Sequence, residues 1–537
     1  MRRKNRFSMK NLPVDAPLYH TDHSRPVSRR DFIRQGFALG SASYLSGSIF
    51  SLFAVPNEAK AALSSDMTAL AADIGCSFGL DTDSVPLICF DLAGGANFAG
   101  SNVLVGGAGG QNDGTITTAG YSKMGIPGDM IPGLDSTGLT QSPSANNDFV
   151  NDDLGLLFHA DSAMLTGILE KAGASLGNID GCVIPARSEN DTGNNPHNPL
   201  YGVAIAGARG SVVDLIGSRN SESGGNSLAP ANMVNPEFRP TKVDRPSDVT
   251  GMVDVGDLTA TLSNPADVTA VMESIARISD KKMRLGSIQT GVSNDEVLKD
   301  LVRCGYLKAA DLADRFAGVA VDPLLDTNIV NDSTGIFTNA EMSDGEFRKT
   351  ASIMKMVLNG YSAAGCVTMG GYDYHTSDRA TGEARDLRAG RCIGACLNYA
   401  QRVGSPLMIY VFSDGSVASN GNLDNSTEGR GKGVWSGDNS STACSFFLVY
   451  NPDASPILRT NSSGVVGHQI GRFSSDASVV TSSSPAANNV NLLVNTVLLN
   501  YMALNNQLGQ FATKFPGHGL GSGTSYEQYV AFEPIKT

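Results

Sequence analysis

Two short apolar runs that break off into polar, chemically loaded turns constrain this chain more than any other feature. Cys366 to Met369 leads straight into Gly370-Gly-Tyr-Asp-Tyr-His-Thr376, and Pro406 to Phe412 ends in Ser413-Asp-Gly-Ser416. An apolar run of that length, bounded by turn residues, reads as a buried strand. A helical segment separates the two runs. The pair therefore delivers Asp373, His375, Ser413 and Asp414 to one edge of a sheet, where open α/β folds place their sites. A Gly- and Asn-rich stretch then leads to the only tryptophan, Trp435, and to Gly437-Asp-Asn439.

The rest of the chain repeats the theme. Val85 to Phe90 reads as a strand ending at Asp91, followed by the Gly94-Gly-Ala-Asn97 turn, where backbone can approach a ligand. The Gly106 to Gly114 tract lacks the spacing of a nucleotide fingerprint. Amphipathic helices are expected around 162–174, from Asn264 with Pro265 in its first turn, from near Asn294, and from the capping box Ser343-Asp-Gly-Glu346. Further strands are expected at 181–185 and 446–450, and a closing helix at about 488–508. Strand and helix alternation in the last third predicts an α/β fold with a central, mostly parallel sheet covered by helices on both faces. No linker divides residues 62–537, which read as one large domain with loops inserted at about 100–153, 186–260, 413–445 and 461–487.

Residues 1–61 read as an export signal. Ser28-Arg-Arg-Asp-Phe-Ile-Arg34, a Gly- and Ser-diluted apolar run and Ala59-Lys-Ala61 together match a twin-arginine signal, a route that carries folded proteins to the periplasm or beyond. Removing its ten Lys/Arg and four Asp/Glu from totals of 40 and 53 leaves 30 bases against 49 acids, a formal charge of −19. That balance excludes phosphate-backbone binding, so no nucleic-acid partner is expected. No later segment is long and apolar enough to span a bilayer, and the export machinery is the one partner the sequence points to. Of eight cysteines, Cys89 and Cys366 lie inside apolar runs and read as small hydrophobes, so mostly free thiols with room for one bridge are expected.

Residue types leave two readings for the candidate site. Asp373 and His375, two apart, face one side of an extended segment and can share a divalent ion such as zinc, manganese or iron. They serve as readily to cap a turn and tie down a loop. Ser413 and Asp414 divide between catalytic groups and an ordinary Ser-Asp-Gly turn, for no Gly-x-Ser-x-Gly elbow surrounds Ser413. His197, in an Asn/Pro tract expected to hold it exposed, is a lesser ligand candidate. The Asp- and Asn-rich loops, Asn420 to Asp424 among them, lack calcium-loop spacing.

The order of these motifs resembles the exported bacterial family called domain of unknown function 1501, itself similar to the alkaline phosphatase and sulfatase superfamily. The resemblance implies an alkaline-phosphatase-like core. Where that family carries an aspartate, this chain has Asn97, and its Asp-His pair stands here as Asp438-Asn439. Both changes remove a ligand. Asp91, Asp373, His375 and Asp438 remain as candidate metal ligands, too few for a two-metal phosphatase centre, which leaves a single weak ion site or none. The expected function is an exported protein with a hydrolase-like fold and a degenerate site, acting in binding or assembly. The alternative is a metal-dependent periplasmic phosphate- or sulfate-ester hydrolase.

Overall fold

The computed structural model describes residues 63–76, 83–102, 116–132, 149–188, 195–253, 262, 264–285, 295–316, 321–460 and 467–536. The export signal, the Gly106 to Gly114 tract and residues 189–194 lie outside them.

Eleven strands form among these residues: β1 (Leu87–Ala93), β2 (Val150–Leu154), β3 (Leu156–His159), β4 (Ile179–Pro185), β5 (Leu215–Gly217), β6 (Thr241–Lys242), β7 (Ala364–Gly370), β8 (Leu407–Phe412), β9 (Val417–Asp424), β10 (Lys432–Asp438) and β11 (Cys444–Tyr450). Seven build a central sheet in the order β4-β11-β8-β1-β7-β5-β6. All run parallel except β11, which is antiparallel to both β8 and β4. Strands β1, β8 and β11 are buried at every residue. Continuous apolar strands of this kind belong to a sheet covered on both faces.

Eleven α-helices accompany the strands: α1 (Ser65–Asp73), α2 (Thr118–Lys123), α3 (Ala163–Ala172), α4 (Leu200–Ala206), α5 (Pro246–Val253), α6 (Pro265–Arg284), α7 (Asp295–Phe316), α8 (Gly345–Leu358), α9 (Arg379–Val403), α10 (Val490–Leu504) and α11 (Phe511–Lys514). The strand pleat sorts the core between two layers. Ile88, Phe90 and Leu92 of β1 pack with Met164 of α3, Met354 of α8 and Leu397 of α9. Leu87 and Cys89 face the other way, toward Leu200 of α4 and Leu498 of α10. Helices α3 and α9 cross at backbone contact. A Cβ at Gly390 would lie 2.0 Å from the Met164 carbonyl, and one at Gly167 would lie 2.1 Å from that of Leu387.

Two of the expected helix caps form as the sequence predicts, and a third shifts by one residue. Ser162 caps α3 by accepting from the Leu165 N–H, and Asn264 caps α6 from Ala266 with Pro265 behind it. The expected capping box at Ser343 does not form. Ser343 belongs to a short 3-10 turn, and Asp344 caps α8 by accepting from the Glu346 N–H. A carboxylate one residue nearer the helix satisfies the same orphan donors and complements the helix dipole.

Three stretches expected to be loops carry helices or strands. Residues 100–153 hold α2 and the start of β2, 413–445 hold the β9–β10 hairpin, and 186–260 hold α4, β5, β6 and α5. A third apolar cluster joins Leu70 of α1, Ala276 of α6 and Leu307 of α7, bridged by the Cys76–Cys304 disulfide. The other six cysteines are free and buried. Among the described residues no helix is long and apolar enough to cross a membrane.

Candidate metal centre

Because β1, β7 and β8 are parallel neighbours, their carboxyl ends open at the same edge. At β7 the strand stops at Gly370, and Gly371, at φ 90°, turns the chain. Asp373 and His375 therefore sit in the loop beyond the strand, not on the strand itself. Between them Tyr374 points inward and is fully buried. Its ring stacks on Trp435 of β10 at a centroid distance of 5.0 Å, and the Ser377 N–H donates to the Trp435 carbonyl at 2.9 Å. These contacts lay the loop along β10, whose last residue is Asp438.

The result is a cluster of three potential ligands. His375 Nε2 lies 2.9 Å from Asp373 Oδ1 and 3.8 Å from Asp438 Oδ1. One ligand atom from each of the three falls within 4.8 Å of the other two. Donors bound to a single zinc or manganese ion at about 2.1 Å stand roughly 3–4 Å from each other. The two shorter separations already satisfy this. The exposed Asp438 carboxylate can close the longest by side-chain rotation. One imidazole nitrogen with two carboxylates suits a borderline divalent cation. The residues therefore fit one ion.

Asp91 does not join them. The pleat turns it to the opposite face, where it is fully buried and accepts from the Asn226 N–H at 2.6 Å and the Ser227 N–H at 3.0 Å. Burial, with repulsion from Asp414, pushes its pKa up to about 6 despite those donors. Asp91 thus anchors the loop that follows β5.

Ser413 and Asp414 are likewise turned to structure. The Ser413 hydroxyl donates to the Leu92 carbonyl at 2.6 Å and accepts from the N–H groups of Gly95 at 3.1 Å and Ala96 at 2.8 Å. One donor and two acceptor sites exhaust a hydroxyl. Asp414 Oδ1 accepts from the Gly94 N–H at 2.7 Å. A Cβ on Gly94, at φ 122°, would lie 2.6 Å from the Asp373 nitrogen, so glycine lets the ligand loop close over this turn. Asn439 points away from the cluster: its Oδ1 accepts from the Ser441 N–H and hydroxyl, each at 2.9 Å, and starts the turn into β11. Asn97 Nδ2 donates to the Met124 carbonyl at 3.1 Å.

Among the described residues, the other histidines are buried or half-buried. His197, expected to be exposed, is buried against Phe412 with Nε2 2.8 Å from Ser188 Oγ. Burial pushes its pKa down to about 3. His159 Nε2 contacts the Met130 carbonyl at 2.9 Å, and burial, with Lys432 nearby, lowers its pKa to about 4. His468 pairs with Asp180 at 3.0 Å, and His518 lies among Phe511 and Tyr526.

Beneath the cluster lies a buried ionic group that reading the sequence did not identify. The Arg379 guanidinium covers the Trp435 ring at 3.7 Å and pairs with Glu383. Lys432 Nζ reaches Glu383 at 2.8 Å, and Arg430 reaches it at 3.3 Å. Burial alone would raise the Glu383 pKa, but these three cations hold it below the usual range. One turn on, Asp386 accepts from Asn102 Nδ2 at 2.9 Å, and burial, with repulsion from Glu383, pushes its pKa up to about 7. The available signal was the spacing of Arg379, Glu383 and Asp386, which share one face of α9.

Fold and site define a mixed α/β protein with a mostly parallel seven-stranded sheet and a candidate one-ion centre at the sheet's carboxyl edge. The chain matches no protein-family model, curated protein or solved structure.

Proposed function

We propose that this is an exported binding protein that holds one divalent transition-metal ion through Asp373, His375 and Asp438, and not an ester hydrolase. The observation that carries the reading is how the sheet edge divides its polar groups. Three potential ligands meet at the surface, while Asp91 and Ser413 are spent on backbone N–H groups of neighbouring turns and Asp414 gives its Oδ1 to the Gly94 N–H. A Ser413 hydroxyl with both acceptor sites filled has no lone pair for attack.

When bound, the ion would supply a Lewis-acidic attachment point for an oxygen or nitrogen ligand of a partner. His375 offers its Nε2, and Asp373 and Asp438 offset the ion's charge. The order of the turn motifs along the edge supports an alkaline-phosphatase-like relationship, in which Asn97 and Asn439 would account for a lost second ion. The Cys76–Cys304 bridge supports an oxidising compartment such as the periplasm.

The test is calorimetric titration of metal-free mature protein with zinc and with manganese, alongside assays on aryl phosphates and sulfates. The reading expects one ion per chain, loss of binding in His375→Ala, retention in Ser413→Ala, and no turnover. Metal-dependent ester cleavage abolished by His375→Ala in a fully folded protein would replace it with the hydrolase reading. Failure to bind either ion would remove the centre altogether.

A further inference from the structure

The Tyr374 ring that seats the ligand loop against Trp435 carries a buried hydroxyl with two partners among the described residues. It accepts from the Asn97 N–H at 3.2 Å and donates to Asp386 Oδ1 at 3.4 Å. Asp386 lies on α9 and is fully buried, and its Oδ2 accepts from Asn102 Nδ2 at 2.9 Å. The Asn102 amide is fixed in that orientation. Its Oδ1 accepts from the Ser162 hydroxyl at 2.8 Å, and its Nδ2 also donates to the Asn97 carbonyl at 3.0 Å.

A proton on Asp386 therefore has one place to sit. Oδ2 faces an amide nitrogen that can only donate, so the proton goes to Oδ1 and points at the Tyr374 oxygen. The phenol hydrogen then has no acceptor in the core, whereas an ionised Asp386 leaves every one of these groups paired. The neighbouring charges pull both ways. Glu383, one turn back on α9, opposes ionisation, while Arg379 on that helix and Lys432 of β10 favour it. Tyr372, in the loop after β7, faces Asp386 as a neutral phenol that donates to the Arg385 carbonyl at 3.0 Å. Burial leads, and the carboxyl changes charge at about 7.

We propose that Asp386 regulates the candidate ion centre through the Tyr374 hydroxyl. Ionised, it holds the ligand loop in its seat. Protonated, it strands the phenol hydrogen and loosens Asp373 and His375 against Asp438. This regulation rests on Asp373, His375 and Asp438 holding an ion, and by linkage a bound cation favours the ionised carboxylate in return.

Trp435 is the only tryptophan and stacks on the Tyr374 ring, so its fluorescence reports the seat of the loop without any metal. In metal-free mature protein its emission should shift with a midpoint at about pH 7. The shift should vanish in Asp386→Asn, and also in Tyr374→Phe, which keeps the ring and removes the hydroxyl. Calorimetry with manganese should show affinity rising between about pH 6 and about pH 8, by roughly tenfold more in the wild type than in either variant. Titration of His375 persists in both variants, so an emission shift that survives in them, or an equal rise in affinity, overturns the proposal. A wild type with no emission shift near pH 7 overturns it as well. A protein that binds no manganese at either pH removes the metal reading, and the Trp435 titration then decides alone whether Asp386 governs the loop.

Discussion

Tyr374 stacks on Trp435 with ring centroids 5.0 Å apart, and this contact carries the two residues flanking Tyr374 to the end of β10. Asp373 and His375 are exposed or half-buried and have little to hold them. Their shared position with Asp438 comes from the aromatic ring between them, which is buried completely. The three potential ligands lie on the surface, and the residues that position them lie in the core.

Trp435→Ala should therefore act on both stability and ion binding. Removing a buried aromatic costs about 3–5 kcal/mol, and the loop above it loses its seat. Chemical denaturation should show that loss, and calorimetry should show weakened metal binding even though no ligand has been altered.

Ser413→Ala separates a clamp from a nucleophile. The Gly95 and Ala96 N–H groups lose their shared acceptor, at about 1–3 kcal/mol for stranded buried donors. The expected result is a lower denaturation midpoint with metal binding intact. A variant of unchanged stability that had lost an ester-cleaving activity would contradict the assignment.

Glu383 balances Arg379, Lys432 and Arg430 in a buried setting, so Glu383→Ala leaves cations without an anion. Breaking a buried ionic group on one side costs about 3–5 kcal/mol. Thermal melting should fall accordingly, and by more than for Asp66→Ala, whose pairing with Arg277 is solvent-exposed.

The pH dependence has two opposed components. His159 and His197 have pKa values depressed by burial to about 4 and about 3, against an ordinary 6.5. Their folded forms bind fewer protons, so the stability they contribute is complete above 6.5 and drains away as pH falls toward 4. Asp91 and Asp386 are raised to about 6 and about 7 from 3.8, so their contribution is complete below 3.8 and is lost as pH rises through those values. Asp386→Asn removes one side of this balance. Its stability relative to the wild type should improve steadily from pH 4 to about 7, as read by denaturant midpoints across the range.

Much of the fold was legible because it follows local rules. The apolar runs ending at Asp91, Gly370 and Phe412 are strands, and the caps at Ser162 and Asn264 begin helices. The β9–β10 hairpin was not legible. Its first strand, Val417–Asp424, is largely polar and exposed, and Val417, Lys432 and Trp435 give the ribbon its inner face. His197 was read as exposed from its Asn- and Pro-rich surroundings. The Phe412 ring that buries it lies 215 residues away in sequence.

By itself the sequence determined which residue types arrive at the sheet's carboxyl edge, because strand length, turn chemistry and the two-residue pleat are local properties. Only the tertiary structure decided which of them meet. One strand pleat sends Asp91 to the face opposite the cluster, and three hydrogen bonds bind Ser413 into the neighbouring turn. A single aromatic stack carries Asp373 and His375 to Asp438, more than sixty residues further along the chain. Convergence of side chains depends on long-range packing, which no local spacing encodes.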